Sequence, residues 1–197
     1  MGRSPRLFVF SGPSGVGKGT ILKQVLKNRS ELHLTVSATT REPRPGEVAD
    51  VDYHYLSEDA FTELLAKDAF LEWADVHGHR YGTLLTEVDS YLEQGNSVIL
   101  EIDVQGGFNI RKSRPDAVLV FVDPPSMQEL ERRLRDRATE DEQTILLRLE
   151  NARREIELAK NYDVRIVNDS LDEAVERTEA LIDQYENDGG ATDDVCD

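Results

Sequence analysis

The 197-residue chain holds one cysteine, Cys196, so it has no intrachain disulfide framework, and a reducing, cytoplasmic setting is the expectation. It lacks any run of the roughly 18 to 20 apolar residues that a bilayer-spanning helix needs. The strand-like stretch Leu7-Phe8-Val9-Phe10 is far too short for the apolar core of a signal peptide, so neither membrane insertion nor export is expected. Glycine and proline are sparse, at 13 and 7, which argues against collagen-like and low-complexity chains. Cations are scarce as well: 23 Lys and Arg face 39 Asp and Glu, and the net charge of −16 disfavours nonspecific binding to nucleic acid or anionic membranes. What is present, 39% hydrophobic and 31% charged residues, suits a globular fold of one or two domains. The sequence does not report an oligomeric state, so a monomer and a homo-oligomer both stay open.

The scarcity of cations is uneven. Residues 1–36 carry six Lys or Arg against one acid, residues 37–90 carry four against twelve, and residues 186–197 carry five acids and no base. The predicted site is therefore expected to be a local basic exception on an acidic molecule.

Apolar periodicity predicts an α/β fold. Arg6–Phe10, Ser97–Ile102 and Ala117–Val122 are short, nearly continuous apolar runs, as expected of parallel strands covered on both faces. Between them, Ile21, Leu22, Val25 and Leu26 recur at helical spacing, and Val104–Ser113 reads as a second helix. Ser126 is placed to cap a helix starting at Met127, Arg165–Val167 reads as a short strand, and Leu171, Val175, Leu181 and Ile182 form one face of a last helix. This alternation predicts a doubly wound parallel sheet with helices on both faces. Residues 37–90 read as an insertion: a polar loop from Ser37 to Asp52, strand-like pieces at Tyr53–Leu56 and Phe70–Val76, and a helix capped by Ser57. Residues 127–160 read as a charged helical pair broken near Ala138-Thr139, and the chain from Glu186 onward is expected to be a frayed acidic tail.

The strongest motif is Gly12-Pro13-Ser14-Gly15-Val16-Gly17-Lys18-Gly19-Thr20, with a strand before it and a helix after it. It matches the P-loop pattern, in which glycines let successive backbone N–H groups face phosphate oxygens and the lysine reaches the β and γ phosphates. Gly19 stands where a metal-ligating hydroxyl is usual and Thr20 follows, which predicts a cation held mainly by phosphates and water. A second signal is the loop containing Arg41 and Arg44, three residues apart around Pro43. Two guanidinium groups there can converge on one anion, or else pair with neighbouring Glu42, Glu47 or Asp50. His77 and His79 have metal-ligand spacing but no third ligand nearby.

The ordered set of Gly12–Lys18, Ser37–Glu47, Asp52-Tyr53, Leu71–Ala74, Tyr81-Gly82, Leu100–Gly106, Pro124–Ser126 and Ile166–Asp169 resembles guanylate kinase from about residue 6 to 185. The resemblance implies a single domain, 1–185, that transfers the γ-phosphoryl group of ATP to GMP with Mg²⁺ on the nucleotide. The same activity on dGMP and a place in purine nucleotide metabolism are further expectations. It also implies a CORE (1–36, 91–126, 161–185), a small mixed GMP-binding insertion (37–90) and a helical LID (127–160), with both insertions closing over the CORE. ATP would be held by Gly12 through Thr20, with Asn168 and Asp169.

GMP would be held by Ser37, Arg41, Arg44, Tyr53, Glu72, Tyr81, Thr83, Glu101 and Asp103. In that set Glu72 meets the donor edge of guanine, Ser37 and Thr83 face the base, and Arg41, Arg44, Tyr53 and Tyr81 take the phosphate. The family often has Ser at the position of Thr83; threonine keeps the hydroxyl. Lys18, Arg41, Arg133, Arg137 and Arg148 would carry catalysis, with Asp103 and Thr20 as metal candidates and Asp103's contact, metal or GMP alone, left open. Arg132, Arg135, Arg153 and Arg154 read as solvated or salt-bridging. Two alternatives remain at this stage: a protein-binding module of the same fold, disfavoured by the intact P-loop, and a P-loop kinase acting on another nucleoside monophosphate or a phosphosugar.

Overall fold

The structure, a computed structural model, describes residues 3–76, 78–136 and 141–187. The chain begins with β1 (Leu7–Ser11), α1 (Lys18–Asn28), β2 (His33–Leu34), β3 (Ala38–Thr39), β4 (His54–Tyr55) and α2 (Glu58–Ala66). It continues with β5 (Phe70–Val76), β6 (His79–Leu84), α3 (Leu85–Glu93), β7 (Val98–Glu101), α4 (Val104–Ser113) and β8 (Val118–Asp123). It ends with α5 (Met127–Asp136), α6 (Glu142–Leu158), β9 (Val164–Val167) and α7 (Leu171–Asn187).

Five strands form an all-parallel sheet in the order β2-β7-β1-β8-β9. Alternate residues of its strands feed two apolar layers. Phe8, Phe10, Val120 and Val122 pack with Ile21 and Val25 of α1, Leu130 of α5, Leu149 of α6 and Ile182 of α7. Leu7, Val9, Leu100, Leu119 and Phe121 pack on the other face with Val88 of α3 and with Val104 and Ile110 of α4. Burial on both faces is why these strands read as unbroken apolar runs. With β1 central and the chain turning to opposite sides of it, the crevice beyond its carboxyl end lies at a topological switch point, where open α/β sheets bind ligands.

A second sheet, β4-β3-β6-β5, is mixed: β3 runs parallel to β4, and β6 runs antiparallel to both β3 and β5. The residues expected to be a plain loop between Ser37 and Asp52 thus contain one short strand, β3. Two residues are too few to leave a periodic signal, and their place is set by pairing with β6. Expected caps are made: Ser57 Oγ accepts from Ala60 N and Ser126 Oγ from Glu129 N. The break expected near Ala138-Thr139 falls outside the described residues.

The fraying expected from Glu186 is corrected at its first two residues, Glu186 and Asn187, which belong to α7; the rest of the expected tail, 188–197, lies outside the described residues. Glu186 is the penultimate residue of α7 and only 4% exposed. Its carboxylate accepts from Ser97 Oγ at 2.6 Å and Arg29 Nη2 at 3.0 Å, and its carbonyl accepts from Ser4 N. Lying one turn beyond Ile182, it falls on the packed face of the helix, and its charge is matched there.

Candidate active site

The P-loop joins β1 to α1, and its glycines are demanded by close approach. Gly12 has φ 148°, and a Cβ there would collide with the Val122 carbonyl oxygen; Gly17, the N-cap of α1, has φ 98°. Asn168 pins the loop from the side by donating Nδ2–H to the Val16 carbonyl at 2.7 Å. One N–H of its amide is thus used on the loop itself, while the neighbouring Asp169 carboxylate accepts from Ser170 N. Lys18 is anchored to the Gly12 carbonyl. Burial pulls its ammonium below the usual lysine value, and the carboxylates of Glu101, Glu155 and Asp103 oppose that pull.

Around the loop lies a continuous cleft. A lobe of about 600 Å³ is lined by Pro13, Ser14, Lys18, Gly19, Thr20 and Glu101. It shares Ser14, Lys18 and Glu101 with a lobe of about 590 Å³ that reaches Ser37, Tyr53, Asp103 and Glu155. A third, of about 420 Å³, runs on to Arg44, Glu72 and Tyr81. On the other side of the P-loop, Gly15, Gly17 and Thr20 share a cavity with Arg133, Asp136, Asn168 and Asp169.

The far lobe is built by the small sheet. Glu72 of β5 is 9% exposed and accepts from Thr83 Oγ1 of β6 at 2.9 Å. Burial pushes its carboxyl up to about 7, against the hydrogen bond from Thr83, and the Asp103 carboxylate adds to the rise. Behind it sits Gly106 of α4, where a Cβ would meet Glu72 Oε2 at 3.2 Å. Asp103 caps that helix, its Oδ1 accepting from Gly106 N at 2.7 Å. Tyr53 and Tyr81 pack edge to face, and the Tyr81 hydroxyl accepts from Arg41 Nε at 3.2 Å.

Two of the three expected LID arginines are described. Arg133 donates to the Val16 and Asn168 carbonyls, and Arg148 Nη1 donates to Ser14 Oγ at 2.6 Å, so both reach the P-loop. Arg137 lies outside the described residues. Arg132, Arg135 and Arg154 pair with acids of α5 and α6. His77 is also outside the described residues, and no group of three metal-ligating side chains occurs among the described ones.

The expectation of a local basic exception is corrected. Glu101 of β7 and Glu155 of α6 bring carboxylates to Lys18 from segments distant in sequence, so bases and acids share the cleft. Glu155 escaped notice in the sequence. Its signal was its place seven residues after Arg148, on the same face of one helix. Burial raises its carboxyl, with Lys18 opposing.

Strand order, P-loop and mixed accessory sheet define a P-loop protein of the doubly wound class. The sequence model of the guanylate kinase family matches residues 4–185. Guanylate kinase of Caldanaerobacter subterraneus subsp. tengcongensis is 46% identical over 176 residues, 89% of this chain and 85% of that protein. Guanylate kinase of Synechococcus elongatus is 49% identical over 177 residues, 90% of this chain and 97% of that one. The crystal structure of guanylate kinase from Anaplasma phagocytophilum superposes with a TM-score of 0.78 at 29% identity, covering 94% of this chain and 88% of that one. The chain belongs to the guanylate kinase family.

Proposed function

We propose that the protein transfers the γ-phosphoryl group of ATP to a phosphate oxygen of GMP: the bond from the β–γ bridging oxygen to Pγ breaks, a new O–P bond forms, and ADP and GDP leave. The observation that carries this reading is the single cleft that joins a P-loop to a pocket holding a buried carboxylate, Glu72, and the arginine Arg44. ATP would lie along Gly12–Thr20, with Arg133, Asn168 and Asp169 on the flank. GMP would put its N1–H and exocyclic amine on Glu72, its base beside Ser37 and Thr83, and its phosphate toward Arg44, Arg41, Tyr53 and Tyr81, with Glu101 and Asp103 between the two nucleotides. Lys18, Arg133 and Arg148 would neutralise charge on the transferring group, which is most of what phosphoryl transfer asks of a protein.

The oxygen donors beside Lys18 fit a hard cation. Glu101, Asp103 and Thr20 flank a loop whose Gly19 offers no hydroxyl, and acids there repel a triphosphate unless a divalent ion accompanies it. Mg²⁺ bound with ATP would offset the charge of the phosphates; Thr20, Glu101 and Asp103 are the residues that would meet it or its waters. The division into CORE, insertion and LID belongs to the same reading, with closure of both insertions excluding water from the transfer. So do use of dGMP, which offers the same base and phosphate, a cytoplasmic role in purine nucleotide metabolism, and the absence of nucleic-acid and membrane partners. No helix among the described residues is long and apolar enough to cross a membrane. A coupled ADP-release assay offering GMP, dGMP, AMP, CMP and UMP in turn tests the reading: turnover with GMP is expected, and turnover with AMP but not GMP refutes it.

A further inference from the structure

We propose that Glu47 is a positioning residue of the phosphate pocket, one carboxylate that sets the side chain of Arg41 and the backbone of Arg44 before the nucleotide arrives. This rests on the reading of the loop as the site for the GMP phosphate. Glu47 collects donors from three residues. Arg41 Nη2 reaches Oε1 at 2.9 Å and Oε2 at 3.0 Å, Arg44 N reaches Oε2 at 2.7 Å, and the Tyr55 hydroxyl reaches Oε2 at 2.8 Å. These bonds, that from Arg41 foremost, hold its carboxyl down at about 2, so it is ionised throughout the working range.

The guanidinium of Arg41 is fixed on every side. Nε donates to Tyr81 and Nη1 to the Glu42 carbonyl at 2.7 Å, and the Tyr53 ring lies 5.3 Å from the guanidinium carbon. Arg41 and Glu47 side chains are only 10% and 20% exposed. Of the five donors that a guanidinium carries, at least one, on Nη1, has no partner among the described residues. Arg44 is the opposite case: its side chain has no hydrogen bond or ion pair among the described residues, and it lines the lobe that contains Glu72. Of the two other neighbouring acids, Asp50 is taken by His54, and Glu42 meets Arg41 through its backbone carbonyl.

The pocket therefore offers a phosphate one open fork and one pre-set guanidinium. Immobilising a long side chain on binding costs affinity, and a guanidinium already locked in place avoids that cost. Removing Glu47 releases Arg41 and the turn at Arg44 together. Were Glu47 instead a rival that the phosphate must displace, its removal would tighten phosphate binding, so the two roles differ in sign.

The test compares affinities for GMP and for guanosine, which lacks the phosphate, in the wild type, Glu47→Gln, Tyr55→Phe and Arg44→Ala. The ratio of the guanosine Kd to the GMP Kd isolates the phosphate term. Glu47→Gln is expected to lower this ratio by roughly tenfold while guanosine affinity stays within about twofold. A merely structural role would weaken both ligands. Tyr55→Phe, which leaves the charge intact, is expected to lower the ratio by about twofold to threefold, and it decides the matter if Glu47→Gln does not fold. A ratio unchanged or raised in the folded variants, with Arg44→Ala lowering it, overturns the role of Glu47 alone. A ratio indifferent to Arg44→Ala overturns the assignment of the loop as the phosphate site.

Discussion

The two ends of the cleft solve different recognition problems with different materials. The P-loop end uses backbone: contiguous residues 12–20, glycines at φ values other residues resist, and a lysine held against its own loop. It suits phosphates, which every nucleotide carries. The small-sheet end uses side chains drawn from β5, β6 and the Arg41–Glu47 loop, and its central carboxylate is buried at the cost of a raised pKa. That end suits a base, which must be told apart from other bases. Phosphate binding is thus local in sequence and generic, while base selection is assembled from afar and specific.

The comparison can be broken at either end. The largest effect is expected at the P-loop: Lys18→Ala should lower kcat on the order of 10³-fold, because charge stabilisation on the transferring phosphoryl is lost. Its guanosine affinity should not change, as steady-state rates and equilibrium binding together will report.

At the other end the expected signature is a pH dependence. The Glu72 carboxylate must be ionised to accept two N–H donors, and its carboxyl is pushed up to about 7. Guanosine, which avoids titration of the phosphate, should bind roughly tenfold more weakly for each pH unit below that value. Stability runs the other way. A folded-state pKa raised above 4.5 contributes stability that is full below the unfolded value and lost as pH rises through about 7. Glu72→Gln should therefore melt higher than the empty wild type at pH 8, by up to an amount on the order of 3 kcal/mol, with the gap closing toward pH 4.5. Calorimetry at the two pH values checks the sign.

Smaller effects probe the supports. In Gly106→Ala the new Cβ meets Ile102 Cδ1 at 3.1 Å and Glu72 Oε2 at 3.2 Å, so the KM for GMP should rise while that for ATP holds. A shift of about threefold to tenfold fits the few tenths of an ångström by which the carboxylate must move. Ser14→Ala, which removes one acceptor of Arg148, should cost about twofold to threefold in kcat.

The same contrast explains what the sequence could disclose. The strands carrying Phe8 and Leu119 are buried on both faces, so composition alone marked them, and the P-loop was legible because its residues are adjacent. The partnership of Glu72 with Thr83 depends on the pairing of β5 with β6, which shifts register between Phe70 and Glu72; no local pattern announces it, and resemblance to a family had to point there. Glu155 and Glu101 reach Lys18 only through folding, which is why charge counted along the chain misjudged the cleft. Glu47 stood in plain view beside Arg41, but spacing could not tell a competing ion pair from a support that leaves part of the guanidinium open.

The central claim, that a buried carboxylate reads guanine, meets its most direct test in the preference for GMP over inosine monophosphate, which keeps N1–H but lacks the exocyclic amine. The ratio of kcat/KM values should be at least about 10² in the wild type and fall at least about tenfold in Glu72→Gln, because the unpaired acceptor is what penalises the poorer base. A preference that survives the substitution unchanged would contradict the account.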